Sequence, residues 1–445
     1  VEETALRRSG EKLIYFPREK IGAVIVDNFP ALGKLVALRF IEWAQQNAGW
    51  TIALPTGKTP EHFIKWVLYF LNNWQSEKTI KLLEEHGVDP GIKPDMKSFH
   101  FIQIDEFYPI NSSQHNSFYY YVNKYYIEGF GLDPKKALLI NPNKIGLREG
   151  QRLEDIWPDN IVDLSLRTRY PNDVWEKQRK QILNAVDQFC TDYERKIREL
   201  GGIGFFLGGI GPDGHIGFNV QGSDHYSTTR LTATNYETQA AAATDLGGIE
   251  ISRNRLVITI GLQTMVHNPN TTAIIMAAGE AKAAIVKKAI ESEKCNDVPA
   301  SVLQELPNAT FYITRGAAKL LIERRYHALL NAKQLTETDK IQIVTDLALE
   351  KQKRIVDLKE DDFNQSPFGK LLTQRLNGRL PTLLKNVEKD YQQRILKALN
   401  VHLGHTFLHT APHHDDIMLG YLPYLVRLMR DPSNKHYFNY LTSGF

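Results

Sequence analysis

Short apolar runs alternate with longer stretches in which apolar residues recur every three or four positions, and the alternation holds to about residue 315. This is the pattern of a layered α/β domain: the runs predict strands buried on both faces of a largely parallel, doubly wound sheet, and the amphipathic stretches predict helices packed over it. The predicted strands are Thr51–Leu54, Phe99–Ile104, Ile203–Leu207, Leu256–Ile260, Thr272–Met276 and Thr310–Ile313. Four of them run directly into glycine or acid, in "LPTGKTP", "QIDEFYP", "GGIGPDGH" and "MAAGEAK". Ligands of open α/β sheets bind beyond the carboxyl ends of the strands, so these four exits are expected to converge on one site.

From residue 316 to 400 the texture changes to leucines spaced by three and four among many charges, with Pro367 and Pro381 as the breakers. This predicts a helical connector, a hairpin or small bundle, in which "LEKQKRIVDLKEDD" is a solvated helix face. A further apolar run, Thr406-Phe407-Leu408, then leads into "HTAPHHDDIMLG", the start of a second α/β unit. The sequence thus divides into 1–315, 316–400 and 401–445. It opens without methionine and stops in the strand-like "NYLTSGF", which reads as a piece of a longer chain.

Composition narrows the partners. Fifty-four Lys and Arg against 51 Asp and Glu leave a formal charge of +3, without the basic excess of a nucleic-acid-binding face. A recognised phosphate is therefore expected in a pocket. Cys190 and Cys295 form no Cys-x-x-Cys pair, so neither a disulfide framework nor a thiolate zinc site is expected, and a reducing, cytoplasmic setting fits. Apolar stretches such as Trp66–Leu71 fall short of the roughly 18 residues of a membrane span, so no membrane partner is expected.

Each exit carries candidate chemistry beside a plainer reading. In "LPTGKTPEHF", Gly57 and Lys58 follow a strand, with Thr59 as predicted N-cap and Pro60 at the first helical position. Free amides there make a cradle of phosphate size, or simply a capped turn. Asp105 and Glu106 are adjacent and face opposite ways, so one can reach a site while the other serves structure. Asp213 and His215 share a glycine-bounded turn in which an acid can orient an imidazole. Lys282 sits in the first turn of a helix, where it adds a point charge for an anion.

Taken together and in order, these stretches resemble the glucosamine-6-phosphate deaminase family, part of a wider isomerase-like group that includes 6-phosphogluconolactonases. The resemblance rests on "LPTGKTP", "DEF" followed by "HNSF", "GPDGHIGFNVQG" and "GEAKA", over about residues 15 to 315. It implies that Asp105 moves a proton between C1 and C2 of an open-chain amino-sugar phosphate. It further implies that His215, oriented by Asp213, opens the ring, that Gly57, Lys58, Thr59 and Lys282 hold the 6-phosphate, and that no cofactor is needed. A homo-oligomer is common in the family. Three departures stand out: Val220 replaces a glutamate that partners the histidine, Lys58 replaces a small residue, and "ETQAAAATDLGG" lacks the family's phosphate-binding arginine. An insertion at about Leu147–Gln181, with its tryptophans and tyrosine, is expected to reshape the pocket.

"APHHDDIMLG" resembles the opening motif of the LmbE/PIG-L deacetylases. His413 and Asp416 have the spacing of two zinc ligands and Asp415 that of a base for the metal's water; the plainer reading is a polar turn before an apolar helix. Ile417 stands where the motif has glutamate, and the third ligand is expected beyond Phe445. The combined expectation is an amino-sugar-phosphate deaminase fused to a zinc-dependent deacetylase. The alternatives are a sugar-phosphate sensor that binds without turnover, suggested by Val220, and a 6-phosphogluconolactonase-like hydrolase.

Overall fold

The computed structural model describes residues 1–236, 238–239, 255–376 and 378–442. The chain divides into two compact units, Val1–Arg325 and Tyr326–Phe445. No described helix is long and apolar enough to cross a membrane. Cys190 is buried and Cys295 exposed, both as free thiols.

The first unit is α/β. Its strands are β1 (Gly22–Val26), β2 (Thr51–Leu54), β3 (His100–Gln103), β4 (Asp105–Tyr108), β5 (Ala137–Leu138), β6 (Phe205–Gly209), β7 (Arg230–Ala233), β8 (Leu256–Thr259), β9 (Thr272–Ala277) and β10 (Ala309–Thr314). Seven form one parallel sheet in the order β5-β3-β2-β6-β9-β10-β1. Alternate residues of these strands feed two separate cores, because successive strand side chains point to opposite faces. Ala53, Ile102, Phe206, Ile275 and Phe311 enter one core, and Ile52, Leu54, Phe101, Phe205, Leu207, Ile274 and Tyr312 the other. Helices cover both faces, which is why the strands are apolar throughout. The helix Phe29–Gln46 is capped by the Asn28 side chain and the helix Val174–Glu199 by that of Asp173.

Two sequence expectations need correction. The strand expected at Phe99–Ile104 is shorter and is followed by another: β3 ends at Gln103, Ile104 is the pivot, and Asp105 opens β4 in a second, antiparallel sheet of order β4-β8-β7. The strand expected at Leu256–Ile260 also belongs to that second sheet. A continuous apolar run has no breaker to mark where a chain changes sheets, and the Ile260 amide bonding to the Ile104 carbonyl at 2.9 Å holds the pivot instead. The insertion does not enter the cavity described below. Its Trp157 is buried, with Nε1 donating to the Tyr108 hydroxyl at 3.4 Å, so it braces β4 from behind.

In the second unit, helices Glu337–Lys351, Glu360–Asn364, Pro367–Leu376 and Leu380–Leu399 enclose Val344, Phe363, Leu372, Leu384 and Val387. "LEKQKRIVDLKEDD" is not one helix face. The helix ends at Lys351 with Gln352 left-handed (φ 52°), a short 3-10 turn spans Ile355–Asp357, and a new helix starts at Glu360. Next come β11 (Thr406–Ala411), the helix His414–Met429 and β12 (Lys435–Tyr440), the two strands pairing in parallel.

Candidate active site

Strand order fixes where a site can form. The chain leaves β2 toward β3 on one side, and leaves β6 toward β9 on the other, so a crevice opens between the carboxyl ends of β2 and β6. A cavity of about 350 Å³ lies there, and Gly57, Lys58, Thr59, Asp105, His215 and Lys282 all line it. The exits of β2, β6 and β9 do converge, together with the pivot after β3.

After β2 the chain turns at Gly57, whose φ of +79° favours glycine. The following helix is Glu61–Asn72, and its N-cap is Pro60 without a side-chain cap. Thr59 therefore does not cap it, contrary to expectation; it lies inside the turn and lines the cavity. Two tyrosines brace this turn from the segment Phe118–Glu128: Tyr121 donates its hydroxyl to the Gly57 carbonyl at 3.0 Å and Tyr126 to the Pro55 carbonyl. That segment contains a π-helical turn at Asn123–Glu128, a feature frequent beside functional sites.

At the pivot, the adjacent acids separate as strand geometry requires. Glu106 is fully buried and accepts from Ser117 Oγ (2.7 Å) and from the amides of Phe107 (2.9 Å), Phe118 (3.1 Å) and Tyr119 (2.6 Å). It ties β4 to the tyrosine-bearing segment. Asp105 faces the cavity, and no described residue donates to its carboxyl group. Burial pushes Asp105 up to about 8, and the neighbouring Glu106 charge adds to the shift. Burial pushes Glu106 to about 7 against the four donors that favour its ionised form. Phe107, Phe118 and Phe218 form an apolar wall of the cavity that Asp105 also lines.

Beyond β6, a Cβ at Gly211 would overlap the His215 ring, so only glycine leaves room for the imidazole. The Gly211 amide bonds the His215 carbonyl at 2.9 Å and closes the turn. Asp213 Oδ1 accepts from His215 Nδ1 at 2.6 Å. A carboxylate acceptor requires the proton on Nδ1, which leaves the Nε2 lone pair for the cavity. Burial alone would raise Asp213, but His215, the Gln221 amide and Asn235 outweigh it and hold the carboxyl well below its usual range. The His215 ring lies parallel to Phe218 with centroids 6.3 Å apart. Lys282 Nζ donates to the Ile210 carbonyl at 2.9 Å, which fixes its ammonium in the cavity wall, and burial lowers its pKa.

Val220 offers no polar side chain, and its hydrogen bonds are backbone bonds to Phe218 and Ser223. The sequence reading missed Asn235 and Thr238, which reach the Asp213–His215 pair from another segment. "ETQAAAATDLGG" lies outside the described residues except for Thr238 and Gln239.

In the second candidate cluster, His413 and Asp416 share the turn that opens the helix His414–Met429. Asp416 Oδ2 accepts from the His413 amide at 3.0 Å and so caps the helix His414–Met429, while Asp415 pairs with His413 Nδ1. Ile417 is buried in the small core of that unit. No group of three or more His, Cys, Asp or Glu that could hold a metal ion occurs among the described residues. His413 and Asp416 are two donors and do not by themselves complete a zinc site, so no chemical step is derived through one.

No family model matches this chain. It is similar to glucosamine-6-phosphate deaminase 2 of Bacillus subtilis, 38% identical over 136 residues, covering 31% of this chain and 54% of the relative. At that level of identity the match spans about half the length of the relative. A longer match, 25% identical over 298 residues, is to a glucosamine-6-phosphate deaminase of Clostridium botulinum and covers 67% of this chain and 98% of the relative. Among solved structures, a monomeric glucosamine-6-phosphate deaminase aligns with TM-score 0.49 and 22% identity, covering 67% of this chain and 99% of the other. Similarity to glucosamine-6-phosphate deaminases thus extends over two thirds of the chain.

Proposed function

We propose that the cavity between β2 and β6 converts an amino-sugar phosphate of the glucosamine 6-phosphate type into a ketose phosphate and ammonia. The observation that carries this reading is that an unpaired acid, an oriented imidazole and two lysines face one pocket. The phosphate docks on the Gly57–Thr59 turn and the first amides of the following helix, with Lys58 and Lys282 supplying charge. Its far end then carries C1 and C2 toward Asp105.

His215 Nε2 takes the proton of the O1 hydroxyl and returns one to the ring oxygen, so that the C1–O5 bond breaks and an aldehyde forms. Asp105 then removes the C2 proton and delivers it to C1. As the electron pair of the C2–H bond passes through an enolamine, O1 takes a proton given up by the C2 ammonium, so that C1 becomes a hydroxymethyl carbon and C2 a ketiminium. Water adds to C2 and the C–N bond breaks, releasing ammonia and leaving fructose 6-phosphate. No redox partner is needed.

The substrate class also answers a problem set by burial. A carboxyl group with a pKa of about 8 holds its proton at neutral pH and cannot act as a base. The ammonium on C2 of an amino sugar is a cation brought to within a bond or two of the reacting proton, and it favours the carboxylate. A neutral 2-hydroxy sugar phosphate lacks that charge.

Val220 and the raised pKa that burial gives Asp105 favour one competing reading, a sensor that binds the sugar phosphate without turnover. A panel of glucosamine 6-phosphate, glucose 6-phosphate, N-acetylglucosamine 6-phosphate and 6-phosphogluconolactone separates these readings. Ammonia from the first compound alone is expected. Thermal stabilisation by it without ammonia would establish the sensor, and acid release from the lactone a hydrolase. Lys282→Met is expected to raise KM roughly 10- to 100-fold, because a hydrogen bond to a charged group is worth about 1.5–3 kcal/mol. Lys58→Ala should cost less, since Lys58 is exposed; steady-state kinetics on both variants checks the order.

A further inference from the structure

We propose that Asn235 and Thr238 are positioning residues that lock the Asp213–His215 pair with uncharged groups. The kinetic part of this inference rests on the deaminase reading; the geometric part does not. Asp213 uses its two oxygens for different tasks. Oδ1 meets His215 Nδ1, and Oδ2 accepts from the Gln221 amide at 3.0 Å and from Asn235 Nδ2 at 2.7 Å. With Oδ2 held twice, the carboxylate plane cannot rotate, and the imidazole it orients is fixed with it.

Asn235 does a second task with its other atom. Its Oδ1 accepts from the Thr238 amide at 3.0 Å, as a helix N-cap does, and its carbonyl accepts from the Gln239 amide at 2.9 Å. One side chain therefore forms the turn that carries Thr238 and pins that turn to Asp213. Thr238 is 2% exposed and lines the cavity, with Oγ1 3.2 Å from His215 Nδ1. Because Nδ1 already donates to Asp213, Thr238 Oγ1 takes the weaker branch of a shared hydrogen bond. Both contacts favour the tautomer with the proton on Nδ1.

The amide at 235 cannot be exchanged for an acid. An aspartate there would bring a second carboxylate to the 2.7 Å contact with Asp213 Oδ2, and like charges at that distance must share a proton. With valine at 220, Asp213 is the carboxylate bonded to His215, and neutral donors complete its support.

Two readouts test this. The first is the nitrogen NMR spectrum of histidine-labelled protein, with the His215 signal assigned by its loss in His215→Gln. Wild type is expected to show the Nδ1–H tautomer at high pH, Asn235→Ala a mixture of both tautomers, and Asn235→Asp a shifted His215 titration. The second is kinetics: Asn235→Ala should lower kcat about tenfold or more at unchanged KM, Thr238→Val a few-fold, and Thr238→Ser should restore the wild-type value. If His215 keeps one tautomer and one titration in all the Asn235 variants, the inference is overturned. If the tautomer changes as expected while wild-type protein releases no ammonia, the latch stands and the deaminase reading falls.

Discussion

Asp105→Asn is expected to abolish most turnover and, at the same time, to make the protein more stable in mildly alkaline solution. The loss should be roughly 10²–10⁴-fold in kcat, the range contributed by a general acid–base group. The gain follows from burial. Below about pH 4 both folded and unfolded chains hold the Asp105 proton. Between there and about 8 the unfolded chain has lost it while the folded chain keeps it, so this group's contribution to stability falls steadily as pH rises. Above about 8 the folded chain carries a buried charge with no donor among the described residues, a deficit on the order of 5 kcal/mol. Asparagine fills the same space uncharged. Melting curves should therefore show the variant gaining on wild type from pH 5 to pH 9, with little difference at pH 4. In wild type, the same titration should make kcat/KM rise with pH up to about 8.

The second large effect is at the imidazole. Asp213→Asn keeps the shape of the side chain but can turn an amide nitrogen toward His215 Nδ1, where only an acceptor belongs. Without a fixed Nδ1 proton, Nε2 no longer reliably presents its lone pair to the cavity. A fall of roughly 10²–10³-fold in kcat is expected, with KM little changed. His215→Gln should cost as much, and the double variant no more than the worse single one, because the two side chains act as one unit. Additive losses in that cycle would mean that Asp213 and His215 work separately.

Much of this site was legible along the chain, and the reasons are local. Thr51–Leu54 is bounded by proline and glycine, and its limits in the structure are those read from the sequence. The glycines at 57 and 211 mark places where the backbone needs a positive φ or where a ring needs space. The opposite directions of Asp105 and Glu106 follow from strand alternation alone. What was not legible depends on contacts distant in sequence. The change of sheet at Ile104 is set by its bond to Ile260, and the brace on the turn at Gly57 comes from Tyr121 and Tyr126. Thr59 resembles an N-cap in any sequence window, yet the turn at Gly57 delivers the chain to the helix one residue later. Asn235 and Thr238 lie in the unremarkable "TNYETQ", and only the folded chain brings them to Asp213.

The cluster at His413 is the converse case. Its residue types and spacing suit a metal, and the same side chains also make local bonds, Asp416 to the helix cap and Asp415 to His413.

The most direct test of the central claim is the stoichiometry of ammonium and fructose 6-phosphate formed from glucosamine 6-phosphate by wild type and by Asp105→Asn, alongside substrate binding by both. The account predicts one ammonium per fructose 6-phosphate from wild type, and almost none of either from a variant that still binds. Ketose without ammonium, or full activity in the variant, would contradict it.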